Sequence, residues 1–353
     1  MNPYWSALAR DLHPYVPGEQ PRIADLVKLN TNESPYPPSP RALAAIRAAA
    51  SDDLRLYPDP ESRGLRETLA AYHGVKLENV FVGNGSDEVL AHAFAALLKH
   101  DGPLLFPDVT YSFYPVYAQL TGVTCQTVPL DEGLRVRLAD YRRPCGAIIL
   151  ANPNAPTGVA LPLAEIAELV AARRDIPIVI DEAYVDFGGE TALPLLADHP
   201  NLLIVRTMSK SRALAGLRVG YALGAAGLIE ALGRVKDSFN SYPLGAAAQA
   251  GAAASVEDEA YFRARLADVV GEREALTDGL RRLGFEVLPS AANFVFARRR
   301  GMAGAALAAG LRQRAVLVRH FARPRTADYL RITVGRPEHN ARLLAALGEI
   351  VAG

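Results

Sequence analysis

The 353-residue chain reads as an α/β protein, in which a large, mostly parallel, doubly wound sheet domain is followed by a smaller α+β domain. Three observations predict it. From Val80 to Val205, short runs that are apolar throughout alternate with helical patterns, as parallel strands do when helices cover both faces of their sheet. Beyond residue 243 the order changes to two successive strands, a helix, two more strands and a last helix. The length also exceeds what one minimal core requires and suits two domains.

Taken in order, residues 1–40 are rich in proline and weak in periodicity, an extended arm with room for one short helix at Pro3 to Leu12. An Ala-rich helix is expected at Arg41 to Ala50, a rigid loop at Tyr57-Pro58-Asp59-Pro60 and an amphipathic helix at Glu61 to His73. Val80-Phe81-Val82 is a strand that runs through Gly83 and Gly85 into a helix at Glu88 to Lys99. Further strands are expected at Leu104 to Phe106, Thr124 to Val128, Ala147 to Leu150, Ile176 to Ile180 and Leu202 to Val205, with a helix at Pro162 to Arg173. Right-handed crossovers gather the loops that follow such strands at one edge of the sheet, where ligands bind. The C-terminal part opens on helices at Leu244 to Ala254 and Glu257 to Leu283. Strands come next at Phe285 to Leu288, Asn293 to Ala297, Val316 to Arg319 and Tyr329 to Val334, with helices at Ala303 to Arg312 and Pro337 to Val351. The expected units are the arm, 1–40, packing with the small domain; the large domain, 41–243; and the small domain, 244–353.

Basic and acidic residues balance at 38 each, which argues against non-specific binding to nucleic acid or an anionic membrane. Cys125 and Cys145 form neither a disulfide framework nor a CxxC pair, and are expected to be buried thiols in a reducing compartment. No run approaches the roughly 18 apolar residues of a membrane span, and Met1 to Arg10 lacks the pattern of a secretory signal. A cytoplasmic protein is expected.

The densest chemistry lies from Thr207 to Arg218, directly after the run Leu202 to Val205. A lysine such as Lys210 condenses with an aldehyde only as the free amine, which burial or neighbouring positive charge favours. Thr207, Ser209 and Arg218 offer hydroxyls and a guanidinium fork suited to a phosphate dianion. An aldehyde that carries a phosphate is pyridoxal 5'-phosphate; the alternative is a solvated Lys and Arg on a loop. Gly83 to Asp87 places glycines at a helix N-terminus, where free N–H groups hold phosphate. Asp181 closes the strand Ile176 to Ile180, either capping the next helix or keeping a pyridine nitrogen protonated. Tyr184 is either a hydrogen-bond partner for a ring oxygen or a half-buried surface residue. Tyr111 either stacks on the pyridine or is ordinary core.

The segments GNGSDE, NPNAPTG, DEAY and SKSRALAGLRVGY, so ordered and spaced, resemble those of the fold-type I pyridoxal-phosphate aminotransferases, and the likeness spans the chain. Within that family the arm LNTNESPYPPSP, the YPDP loop and the terminal VLVRHF and LRITVG are most similar to the histidinol-phosphate aminotransferase branch. The resemblance implies a transaminase acting on L-histidinol phosphate and 2-oxoglutarate, in a homodimer with shared active sites and small-molecule partners only. The competing readings are the same fold acting on aromatic amino acids or as a phospho-amino-acid decarboxylase, and a non-catalytic regulator. The regulator would need a basic DNA-binding module, for which residues 1–40 leave no room.

The same resemblance implies roles by position. Lys210 would bind the cofactor and shuttle a proton, Asp181 would face the pyridine nitrogen, Tyr184 the ring oxygen and Tyr111 the ring. Gly85, Ser86 and Asp87, with Thr207, Ser209 and Arg218, would hold the cofactor phosphate, and Tyr57 would reach the phosphate in the neighbouring subunit. Tyr15, Asn32, Arg319 and Arg331 would meet the substrate. One position departs from the family pattern, which has asparagine immediately before Pro-Thr-Gly, at the ring oxygen; this chain has Ala155. Asn154 or Asn152 would substitute, or Tyr184 would hold that oxygen alone.

Overall fold

The computed structural model describes residues 2–352, whose strands form one seven-stranded and one five-stranded sheet. In chain order the strands are β1 (Val27–Leu29), β2 (Val80–Asn84), β3 (Leu104–Pro107), β4 (Cys125–Val128), β5 (Ala147–Ala151) and β6 (Ile178–Asp181). They continue as β7 (Leu202–Thr207), β8 (Val219–Gly224), β9 (Glu286–Val287), β10 (Phe294–Arg298), β11 (Val316–His320) and β12 (Tyr329–Thr333). The larger sheet has the order β2-β8-β7-β6-β5-β3-β4. Strands β3 to β7 are mutually parallel, and β8 runs antiparallel to both β7 and β2.

Strands β5, β6 and β7 are buried along their whole length. Their side chains alternate between two cores, as the two-residue period of a strand dictates. Ile148, Ile178, Ile180 and Ile204 enter one cluster, while Ile149, Val179, Leu203 and Val205 enter the other. Both faces therefore need helical cover, which is the doubly wound arrangement the unbroken apolar runs predict. Asp181 is the last residue of β6 and lies level with Ala151 of β5 and Val205 of β7. The chemistry is thus set at the carboxyl ends of the central strands.

Strand β8 has no counterpart among the expected elements. Gly220 and Gly224 dilute its strand signal, and pairing on both edges supplies what local propensity lacks. Gly220 is there for space: a Cβ on it would sit 2.2 Å from the Ser86 nitrogen. The helix after β2 also begins earlier than expected, at Gly85, and runs to Ala96.

The smaller sheet has the order β1-β11-β12-β10-β9. Its edge strand β1 comes from the arm and pairs in parallel with β11, Val27 opposite Val316, and no strand is expected there from sequence. The expectation of two buried thiols is overturned. Cys145 is half-buried, but Cys125 is exposed because it opens edge strand β4, whose first three residues face solvent. Among the described residues no helix is long and apolar enough to cross a membrane.

Candidate active site

A cavity of about 220 Å³ lies where β6 and β7 end, between the larger sheet and the arm. Asp181 forms part of its wall and is 5% exposed. Its Oδ2 accepts from the Tyr114 hydroxyl (2.9 Å) and its Oδ1 from the Ala183 N–H (3.2 Å). Burial pushes the carboxyl up to about 6; those two hydrogen bonds pull the other way, and the nearby Asp87 and Glu182 add to the rise. A carboxylate held this way is costly without a cation beside it, and a protonated pyridine nitrogen is such a cation. Tyr114 is not among the site residues expected from sequence, although it lies three residues after Tyr111, at the start of the helix Tyr114–Thr121. Tyr114→Phe removes the donor and keeps the ring. It is expected to weaken cofactor retention roughly ten- to a hundredfold in equilibrium dialysis, since a hydrogen bond to a charged group contributes about 1.5–3 kcal/mol.

The opposite wall collects donors. The helix Gly85–Ala96 starts at the cavity, and the Asn84 side chain does not cap it, so the amides of its first turn face an anion-binding position. Gly85 has φ +79°, and a Cβ there would lie 2.3 Å from Arg218 Nη2, so glycine alone fits. Arg218 Nη1 donates to Ser209 Oγ (3.3 Å), which also accepts from Thr207 Oγ1 (3.0 Å). Arg218 Nη2 pairs with Asp87 Oδ2 at 2.8 Å. Asp87 Oδ1 accepts from Tyr111 (2.9 Å) and Tyr117 (3.4 Å), so this carboxylate orients an arginine and a ring. Amides, hydroxyls and guanidinium converging beside a buried carboxylate fit both ends of pyridoxal phosphate.

Lys210 enters between these walls, and its Nζ donates to the Thr31 carbonyl of the arm (3.3 Å). It lies 5.9 Å from the centre of the Tyr184 ring, and the Tyr184 hydroxyl accepts from Asn32 Nδ2 (3.0 Å). Asn32 is held in turn by Thr333 and Asn293, with φ +55°, a strained conformation for a non-glycine residue. Ala155 lines the cavity, but the structure does not bring Asn154 or Asn152 to it. Asn154 is bonded to Thr110, Val109 and Thr157, and Asn152 twice to Leu161. Asn152 closes its own loop and Asn154 ties that loop to Val109 and Thr110, which leaves Tyr184 on the lining.

Beyond Lys210 the smaller sheet presents two arginines. Arg319 and Arg331 are directly opposed on β11 and β12, with both guanidinium groups over the Phe321 ring, at 5.5 and 5.4 Å. Their hydrogen bonds go to arm carbonyls, Val16 (3.4 Å) and Asn30 (2.8 Å), and Arg331 Nε is buried without a partner. Burial holds the Arg331 pKa below the ordinary guanidinium value; Tyr184 opposes this and Arg319 reinforces it. Like charges opposed across strands are unfavourable, and an anion between them removes the penalty. Gly85, Asn32, Arg319 and Arg331 lie outside the cavity lining of this chain, as do two further expected residues. Tyr15 stacks on Phe113 (4.7 Å), and Tyr57 is 82% exposed and stacks on Tyr242 (4.7 Å). Sequence reasoning missed Glu33 and Thr31, which the arm contributes to the lining.

A lysine after the central strands, faced by a buried carboxylate and a phosphate cradle, on this sheet order, defines a pyridoxal-phosphate-dependent transferase of fold type I. The chain belongs to the aminotransferase class I and II family, whose model matches residues 24–347. It is 65% identical to histidinol-phosphate aminotransferase 2 of Rhizobium meliloti (strain 1021), over 99% of this chain and 100% of that one. It is 63% identical to histidinol-phosphate aminotransferase 1 of Bradyrhizobium diazoefficiens, with the same coverage. Among solved structures, the histidinol-phosphate aminotransferase from Sinorhizobium meliloti in complex with pyridoxal-5'-phosphate superposes with a TM-score of 0.88 at 26% identity, covering 99% of this chain and 98% of that one. The aspartate aminotransferase from Thermus thermophilus with maleate shares the fold, with a TM-score of 0.81 at 22% identity and 92% of each chain covered.

Proposed function

We propose that this aminotransferase moves an amino group between L-histidinol phosphate and 2-oxoglutarate, a step of histidine biosynthesis in the cytoplasm. The opposed pair Arg319 and Arg331 carries the reading, together with the names of the full-length relatives. Histidinol phosphate has no carboxylate, so its phosphate is the anion available for anchoring, while 2-oxoglutarate offers two carboxylates. A guanidinium fork binds either ion in bidentate fashion.

When bound, pyridoxal phosphate supplies an electron sink for the carbon that bears the amino group. Lys210 Nζ would anchor the cofactor and, as a free amine, would hold and move the proton at the carbon that bears the amino group. Asp181 would set a negative charge against the pyridine nitrogen, Tyr184 would bond the ring oxygen with Asn32 orienting its hydroxyl, and Tyr111 would cover the ring. Ser86, Asp87 (through its backbone), Thr207, Ser209 and Arg218 hold the phosphate, and Tyr15 and Asn32 border the substrate. The exposure of the large apolar side chains Tyr57 (82%), Phe239 (79%), Leu54 (61%) and Leu56 (54%) favours a homodimer in which Tyr57 reaches the other subunit's site. The working division is an arm, 1–40, a large domain, 41–243, and a small domain, 244–353.

Arg331→Lys and Arg319→Ala are expected to raise KM for both substrates and lower kcat/KM roughly ten- to a hundredfold, with the bound-cofactor spectrum intact. Histidinol without its phosphate should be a poor donor for the wild-type protein. If histidinol is used as well as its phosphate, the phosphate is not being read and an aromatic amino donor takes its place.

A further inference from the structure

We infer that Glu33 reads the imidazole of the amino donor by accepting a hydrogen bond from a ring N–H through Oε1, a role that rests on the substrate proposed above. Three carboxylates line the cavity: Asp87, Asp181 and Glu33. Both oxygens of Asp87 are taken, by Tyr111 and Tyr117 on one side and Arg218 on the other. Both oxygens of Asp181 are taken as well, by Tyr114 and the Ala183 amide. Glu33 differs. Its hydrogen bonds, from Lys28 and from the Thr31 hydroxyl (2.7 Å), both go to Oε2, and Oε1 receives none among the described residues. One oxygen is clamped, and the other, on a side chain 47% exposed, has no protein donor among the described residues.

The clamp also sets the charge. Burial raises the Glu33 pKa, but the hydrogen bonds from Lys28 and Thr31 outweigh it, so the group sits below the ordinary carboxylate range and remains an acceptor. Its position is fixed by the arm. Thr31, which donates to Glu33, receives the Lys210 amine on its carbonyl at 3.3 Å, and Asn32 between them is pinned to the smaller sheet by Thr333. The carboxylate is thus next to the reacting lysine. Histidinol phosphate brings three polar groups: the amine must reach the reacting centre, the phosphate meets an arginine, and the imidazole needs an acceptor. Glu33 Oε1 is the carboxylate oxygen of the lining that is free to be one. Neither 2-oxoglutarate nor glutamate carries a ring N–H, so the contact serves one half-reaction. It also discriminates against plain aromatic donors, because a site built to pair an N–H rejects an analogue that lacks it.

The test tracks each half-reaction separately by cofactor absorbance. Glu33→Leu is expected to lower kcat/KM for histidinol phosphate roughly ten- to a hundredfold, mainly through KM, while the glutamate half-reaction changes by less than about twofold. Glu33→Gln, which keeps an acceptor oxygen and loses the charge, should fall between wild type and Glu33→Leu. The same ranking is expected in Kd by calorimetry on a Lys210→Ala background, which binds the donor without turning it over. Equal losses in both half-reactions would mean that Glu33 only shapes the arm, and no loss in either would remove it from recognition; both results overturn the inference. A wild-type protein that uses glutamate and ignores histidinol phosphate overturns the substrate assignment itself, a separate outcome.

Discussion

Lys210→Ala is expected to lower turnover by more than about ten-thousandfold, since one amine serves as both covalent anchor and proton carrier, and proton transfer alone contributes roughly 10²–10⁴. The fold should survive. Lys210 is half-buried, and the hydrogen bond it makes goes to the Thr31 carbonyl. Its loop is shaped by neighbouring backbone, with Ala213 and Arg218 both at φ +57°, and by Ser211 bonded to Asp186 (2.5 Å). Borohydride reduction with subsequent peptide mass analysis gives a readout independent of turnover. The cofactor mass should appear on the Lys210 peptide of the wild-type protein and be absent from the variant. Near-normal turnover in the variant would dismantle the proposed mechanism.

Asp181→Asn is expected to separate activity from stability, in opposite directions. Loss of the carboxylate should cut kcat by about a hundredfold or more, because the ring nitrogen is no longer kept protonated. The cofactor-free protein should nonetheless become more stable at neutral pH. Burial raises the Asp181 pKa from an ordinary 3.8 to about 6, so the folded state prefers the protonated acid. A group whose folded pKa is raised contributes its stability in full below the unfolded value, here pH 3.8, and loses it as pH rises through about 6. The gap is worth about 3 kcal/mol at pH 7. Asparagine avoids that cost, since its oxygen can accept from the Ala183 N–H while its amide donates to the Tyr114 hydroxyl. Thermal melts of the two cofactor-free proteins should therefore differ at pH 7 and converge near pH 4. A variant melting below wild type at pH 7 would show that the carboxylate is not strained.

Much of this was legible in the residues themselves, because it depends on neighbours in sequence. The apolar runs that became β3, β5, β6 and β7 needed no knowledge of their partners, since strands buried on both faces stay apolar until their carboxyl ends, where Asp181, Arg206 and Thr207 stand. Asp181 and Lys210 stood out for the same reason, as polar residues where such runs stop. The rest was decided by contacts between distant segments. Strand β8 exists because β2 and β7 flank it, and β1 because β11 offers an edge, and neither partner can be read from the strand's own residues. The exposure of Cys125 comes from strand order, which puts β4 at the rim. The facing of Arg319 and Arg331, the bond from Tyr114 to Asp181 and the arrival of Glu33 beside Lys210 are likewise tertiary facts. Ala155 shows the boundary most plainly. The missing asparagine was visible in sequence, but only the packed structure revealed that Asn154 is already committed to Val109, Thr110 and Thr157 and Asn152 to Leu161, because hydrogen-bond partners are allotted in space.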